Sequence, residues 1–162
     1  MNKILNTCML NDVINETNVI DMTLQPMRPM DIELPRDKTG YVYVIASIRN
    51  TEMTYIGTTL NLKKRLNTHN SGYGSKSTQS IHLRPWTLLG FICGFKGSKS
   101  EINHYRYKVE KIWKQKITEY KETTNTIITS EDIVLIGKKL ITDDLFCFLN
   151  LKFVQTVQFG IL

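Results

Sequence analysis

The chain has 162 residues, 41% of them hydrophobic, which suits one compact domain with appended segments. No apolar run approaches the ~20 residues of a membrane span, so no membrane partner is expected. The first ten residues hold one lysine and no apolar core, so they are not expected to act as a secretory leader. Cys8, Cys93 and Cys147 are far apart and form no C-x-x-C pair. They fit thiols of a reducing intracellular compartment better than a disulfide frame or a zinc site.

The net charge of +6 is unevenly spread: residues 1–39 carry −2, residues 40–121 carry +10, and residues 122–162 carry −2. A basic region concentrates polyanions and gains from counterion release on nucleic acid. Alone it equally describes a solvated face, or a surface that docks on an acidic protein partner.

In chain order, residues 1–39 read as an extension. Pro26, Pro29 and Pro35 break regular structure there, with a short helix over 8–19 as the alternative to a loosely docked tail. Residues 41–48 are β-branched and aromatic, hence a strand; 49–52 make a polar connection and 53–57 a second strand. A helix is predicted over 58–70, capped by Thr59 or Asn61, with Leu62 and Leu66 on its core side and Arg65 and His69 on a neighbouring face. A polar loop follows to residue 83, then an apolar third strand over 85–94. Residues 96–99 form a basic loop, and 100–120 have helical spacing with Ser100 as cap. A threonine-rich linker leads to a helix from 130 to about 140 and a final strand within 149–159. The fold class is α/β (α+β), a small mixed sheet of about three strands flanked by helices. The domain runs over 40–121, with 122–162 packed on it.

Residues 40–72 carry the chemistry. Tyr41-Val42-Tyr43 and Tyr55-Ile56-Gly57, followed by Arg65 and His69, resemble the signature of the GIY-YIG nuclease superfamily. Beyond the signature, residues 67–72 with 75–78 resemble the H-N-x-G…T-S loop of one branch. Arg84-Pro85-Trp86 with Gly94-Phe95 resembles its G-P-W…G-F stretch, and Val109-Glu110-Lys111-Ile112-Trp113 its F-E-x-x-W helix. Asn150-Leu151-Lys152-Phe153-Val154 is similar to the strand that follows. That branch is the catalytic subunit of a structure-specific endonuclease that cuts flaps and branched junctions. Its zinc-binding RING-like module is missing here, which leaves a protein partner subunit open.

The resemblance implies metal-assisted phosphodiester hydrolysis in DNA. Such a reaction needs an activated water and charge neutralisation at phosphorus. Glu110 is the implied ligand of Mg²⁺ or Mn²⁺, hard ions that accept one carboxylate and keep waters. Aligning on the aromatic–basic–valine pattern of a bacterial branch instead puts Arg106 at that position. The plain alternative for Glu110 is an exposed helix glutamate paired with Arg106 or Lys114. Tyr43 and Tyr55 are the implied tyrosines at the attacking water, with Tyr43 preferred; strand tyrosines also serve as cross-strand partners. Arg65 is to clamp the scissile phosphate and Gly57 to let backbone approach it or to allow an unusual turn. His69 is to move a proton or hold a phosphate, against a packing role. Lys63, Lys64, Asn67, Asn70, Lys76, Lys96 and Lys99 are the implied DNA contacts, with residues 75–78 near the DNA backbone. The expected function is a metal-dependent endonuclease on branched or flap DNA. A catalytically degenerate nucleic-acid-binding protein, a homing or restriction nuclease, and a protein-interaction module are the rivals.

Overall fold

Strand β1 (Tyr41–Ser47) is buried along its whole length, because its alternating side chains meet a separate core on each face of the sheet. The computed structural model describes residues 38–142, 146 and 150–153. The predicted helix over 8–19 and most of the predicted last strand lie outside the described residues. β1 returns through a turn in which the Asn50 amide N–H bonds the Ser47 hydroxyl at 3.0 Å. It then pairs with β2 (Thr54–Thr59), setting Tyr43 opposite Gly57 and Ile45 opposite Tyr55. β3 (Trp86–Cys93) pairs with the other edge of β1, and β4 (Asn150–Phe153) with β3, giving the order β2-β1-β3-β4. Every described pairing is antiparallel, where a mixed sheet was expected. The α+β class holds, with β4 as a short fourth strand.

A bulge opposite Val44 and Ile45 shifts the phase of β3. It lets Trp86, Leu88 and Phe91 share one face although their spacing is not strictly even. On that face Tyr41, Tyr43 and Ile45 join them, covered by Leu62 and Leu66 of helix α1 (Leu62–Asn70). On the opposite face Val42, Val44, Ala46 and Ile56 pack under helices α2 (Lys99–Thr124) and α3 (Ser130–Thr142).

The helix starts differ from the sequence reading for identifiable reasons. Thr58 and Thr59 extend β2, paired with Val42 and Tyr41, so α1 begins at Leu62 and not at residue 58. Asn61 is its cap and accepts the Lys64 amide N–H at 2.9 Å. α2 is capped by Ser98 and not Ser100, because Glu101 stands three residues after Ser98 and closes a reciprocal capping box. The threonines read as a linker complete its last turn: the Thr123 hydroxyl bonds the Glu119 carbonyl at 2.7 Å and that of Thr124 the Tyr120 carbonyl at 2.8 Å. The helix stops at Asn125, whose φ of 50° no helix can continue. α3 locks onto α2 through Trp113, whose indole N–H donates to the Ile133 carbonyl at 2.9 Å.

Candidate active site

The site grows from the period-2 geometry of the hairpin. Tyr43 and Gly57 are cross-strand partners, and Tyr55, two residues before Gly57, projects from the same face. A Cβ on Gly57 would stand 2.8 Å from Cε1 of Tyr55 and 2.9 Å from the Tyr43 hydroxyl oxygen. Glycine is required here to make room for two tyrosine rings. The expectation of an unusual turn fails, since Gly57 lies inside a regular strand.

α1 crosses this face, and its i, i+4 pair reaches the tyrosines together. The Arg65 Nε–H donates to the Tyr43 hydroxyl at 3.1 Å, and Arg65 Nη2 donates to the Ser75 hydroxyl at 3.2 Å. Ser75 in turn donates to the Tyr55 hydroxyl at 2.7 Å. His69, fully buried, places Nε2 2.8 Å from the Tyr43 hydroxyl and Nδ1 2.7 Å from the Thr78 hydroxyl. Ser75 precedes a 3₁₀ turn, Lys76–Thr78, whose last residue is Thr78. That turn is tied to the sheet by the Trp86 indole N–H, which donates to the Thr78 carbonyl at 3.1 Å.

Burial dominates the electrostatics. It pushes the Tyr43 phenol up to about 12, only partly offset by Arg65. It brings the His69 imidazole down to about 4, helped by the Arg65 charge, so His69 is neutral near pH 7. Burial also works against the Arg65 charge, but the bond to Tyr43 and the nearby Tyr55 phenol outweigh it and hold the guanidinium protonated more firmly.

β2 is an edge strand, and Glu110 and Lys114 of α2 come round it towards the tyrosines. The Lys114 ammonium lies 5.8 Å from the centre of the Tyr55 ring and pairs with the Glu110 carboxylate at 2.5 Å. The Glu110 charge is felt at Tyr43, where it adds to the upward shift. Arg106 turns elsewhere. It is buried, with Nη2 on the Asn103 side-chain oxygen at 2.5 Å and Nη1 near the Thr59 carbonyl at 3.4 Å. Glu110 is thus the α2 residue on the tyrosine side, and its partner is Lys114 and not Arg106.

Lys63, Lys64 and Asn67 are exposed on the outer side of α1 and line a shallow depression with Asn61, Thr68 and Ser71. Lys76 is exposed beside Ser75. Asn70 is committed elsewhere: its side chain accepts the Trp86 amide N–H at 2.6 Å and donates to the Trp86 carbonyl at 3.1 Å. Lys96 precedes the cap of α2 and Lys99 opens the helix, and at 1.5 Å per residue Lys99 is roughly 16 Å along the axis from Glu110. The bonding roles of Ser75 and Thr78 went unforeseen; two hydroxyls in a short loop just after His69 were the only signal in the sequence.

Among the described residues no three His, Cys, Asp or Glu side chains gather as a closed metal cage. One half-buried carboxylate still fits a hard divalent ion that takes a single protein ligand and retains waters. The Lys114 ammonium already shows that the Glu110 carboxylate accepts a cation on this side.

Residues 39–124, just over half of the chain, match the family model of the GIY-YIG catalytic domain. No curated protein matches the chain. The tyrosine pair on a hairpin, the helix carrying Arg65 and His69 across it, and the span of that match lead to one conclusion: the chain belongs to the GIY-YIG family of nuclease domains.

Proposed function

We propose that the protein is a metal-dependent DNA endonuclease that hydrolyses phosphodiester bonds in branched or flap DNA. The observation that carries this reading is the convergence of Tyr43, Tyr55, Arg65 and His69 on one sheet face, with Glu110 at its rim. Arg65 is anchored through Nε and Nη2, which leaves Nη1 for an oxygen of the scissile phosphate. Tyr43 accepts a proton from the attacking water, and Tyr55 completes the polar wall around it. Mg²⁺ or Mn²⁺, held by Glu110 in place of the Lys114 ammonium, supplies Lewis acidity at the phosphate and a more acidic water. Lys63, Lys64 and Lys76 add a basic approach for the backbone on either side.

The preference for branched DNA rests on the motifs around residues 67–78, 84–86 and 109–113, which resemble a structure-specific branch of the family. The test is cleavage of matched-sequence duplex, flap, splayed-arm and four-way DNA with Mg²⁺, with Mn²⁺ or with EDTA. Metal-dependent cuts near the branch support it. Equal cutting of plain duplex removes the structure specificity, and binding without cuts under every condition removes the enzyme.

A further inference from the structure

Four hydrogen bonds run head to tail through the site. Arg65 Nε meets the Tyr43 hydroxyl at 3.1 Å, and that hydroxyl meets His69 Nε2 at 2.8 Å. His69 Nδ1 meets the Thr78 hydroxyl at 2.7 Å, and Thr78 meets the Ser75 carbonyl at 2.9 Å. The two ends fix the direction of the whole line. A guanidinium has only hydrogens to give, and a carbonyl oxygen has only lone pairs. Each of the three groups between has one hydrogen for two bonds, so every hydrogen points away from Arg65. Reversing the His69 tautomer would press two hydrogens on the Tyr43 oxygen. The hydrogen of Tyr43 itself, in a residue 1% exposed, would then lose its acceptor.

We infer that Thr78 is a positioning residue: it holds His69 as the Nδ1–H tautomer and, through it, commits the hydroxyl hydrogen of Tyr43 to His69 Nε2. Gly74 leaves this pair its room, because a Cβ there would collide with both His69 Nδ1 and the Thr78 hydroxyl. The neighbouring chain makes the two tyrosines unequal. Arg65 donates to Ser75 and Ser75 to Tyr55, so Tyr55 keeps its own hydrogen to give, while Tyr43 has lone pairs to offer.

This rests on the nuclease reading only for its consequence. When Tyr43 takes a proton from water, the water O–H bond breaks and an O–H bond forms at Tyr43. The original Tyr43 proton passes to His69 Nε2, the hydroxide bonds phosphorus as the bond from phosphorus to the leaving oxygen breaks, and that oxygen takes its proton from solvent. No phenolate accumulates; burial and the Arg65 charge disfavour the imidazolium, so it forms only in passing, its N–H groups bonded to Thr78 and to Tyr43.

The experiment is nitrogen-15 NMR of histidine-labelled protein, in which the imidazole tautomers are distinguished by their nitrogen shifts. His69→Gln identifies the His69 signal among the three histidines. Wild type is expected in the Nδ1–H form, Thr78→Ser likewise, and Thr78→Val as a mixture or the reverse tautomer. Cleavage of a flap substrate with Mg²⁺ should fall by ~10²-fold in turnover for Thr78→Val at unchanged DNA affinity, and recover in Thr78→Ser. An Nε2–H form in wild type, or an unchanged tautomer in folded Thr78→Val, overturns the inference. Should Thr78→Val not fold, the wild-type spectrum and Thr78→Ser decide. A wild-type protein with the Nδ1–H form that cuts no DNA sinks the nuclease reading and leaves the Thr78 assignment standing.

Discussion

Gly57→Ala places the smallest possible side chain where the site has no space for it. The new Cβ would stand 2.8 Å from the Tyr55 ring and 2.9 Å from the Tyr43 hydroxyl, where 3.4 Å begins ordinary contact. The neighbours must therefore yield by roughly 0.6 Å, and neither is a free chain end. Tyr43 is held by His69 and Arg65, and Tyr55 by Ser75. Overpacking of this kind costs about 1–3 kcal/mol. With a urea m-value of about 1–3 kcal/mol per M, the unfolding midpoint should drop by roughly 1 M. The loss of cleavage should be larger than the loss of stability. A shift of that size takes the 2.7 Å Ser75–Tyr55 and 2.8 Å Tyr43–His69 bonds past good hydrogen-bond length. Misplacement near 1 Å costs about 10²-fold in rate. Urea melts read by far-UV circular dichroism, together with single-turnover cleavage of a flap substrate, test both parts. A variant whose midpoint moves by less than about 0.3 M and whose rate stays within about threefold refutes the reasoning, since the two rings would then have had room all along.

Three further outcomes are expected. Glu110→Gln should lower metal-dependent cleavage by about 10³-fold or more while DNA affinity stays within about twofold, measured by cleavage kinetics beside fluorescence anisotropy. Arg65→Lys should rescue little, because one ammonium cannot serve Tyr43 and Ser75 and still reach a phosphate; a rate about 10²-fold below wild type is expected. His69 adds an acid-sensitive term to stability. Its folded-state affinity for a proton is reduced, so between its ordinary value of 6.5 and about 4 the unfolded chain binds the extra proton. Stability from this source is complete above that window and is lost as pH falls through it, by at most about 3 kcal/mol. Thermal melts from pH 7.5 to 4 should therefore show a steeper acid loss for wild type than for His69→Gln; parallel curves would show that the imidazole is not kept neutral by the fold.

Much of the site was legible because its residues obey simple periods. Tyr55 and Gly57 share a strand face by alternation and Arg65 and His69 a helix face by spacing, while the meeting of those two faces was implied by the resemblance to the GIY-YIG signature. The choice between Arg106 and Glu110 was not legible, since both lie one turn apart on the same helix. The fold places them differently: Glu110 and Lys114 stand on the tyrosine side, and Arg106 bonds the Thr59 carbonyl. The start of α1 was misplaced because Thr58 and Thr59 suit a cap as well as a strand end, and only pairing with Val42 and Tyr41 decides. Asn70 is among the implied DNA contacts; nothing local announces that its side chain bonds the Trp86 peptide. Ser75 and Thr78 were similarly opaque, as hydroxyl partners in an irregular loop depend on what the rest of the chain brings near them.

The attachment of the loop to β3 has a consequence for how a substrate meets this protein. Asn70 grips the Trp86 peptide, the Trp86 indole grips Thr78, and Arg84 donates to the Asn70 carbonyl at 3.2 Å. Trp86 itself is 1% exposed in the core, so the loop is fastened to the part of the molecule that opens last. Amide exchange around Thr78 should then track global unfolding and not a local lid motion. Under the proposed nuclease function, a loop fastened in this way leaves the distortion that presents a phosphate to the nucleic acid. Junctions and flaps bend more readily than continuous duplex, so selectivity for them can arise as a difference in elastic cost without any base being read.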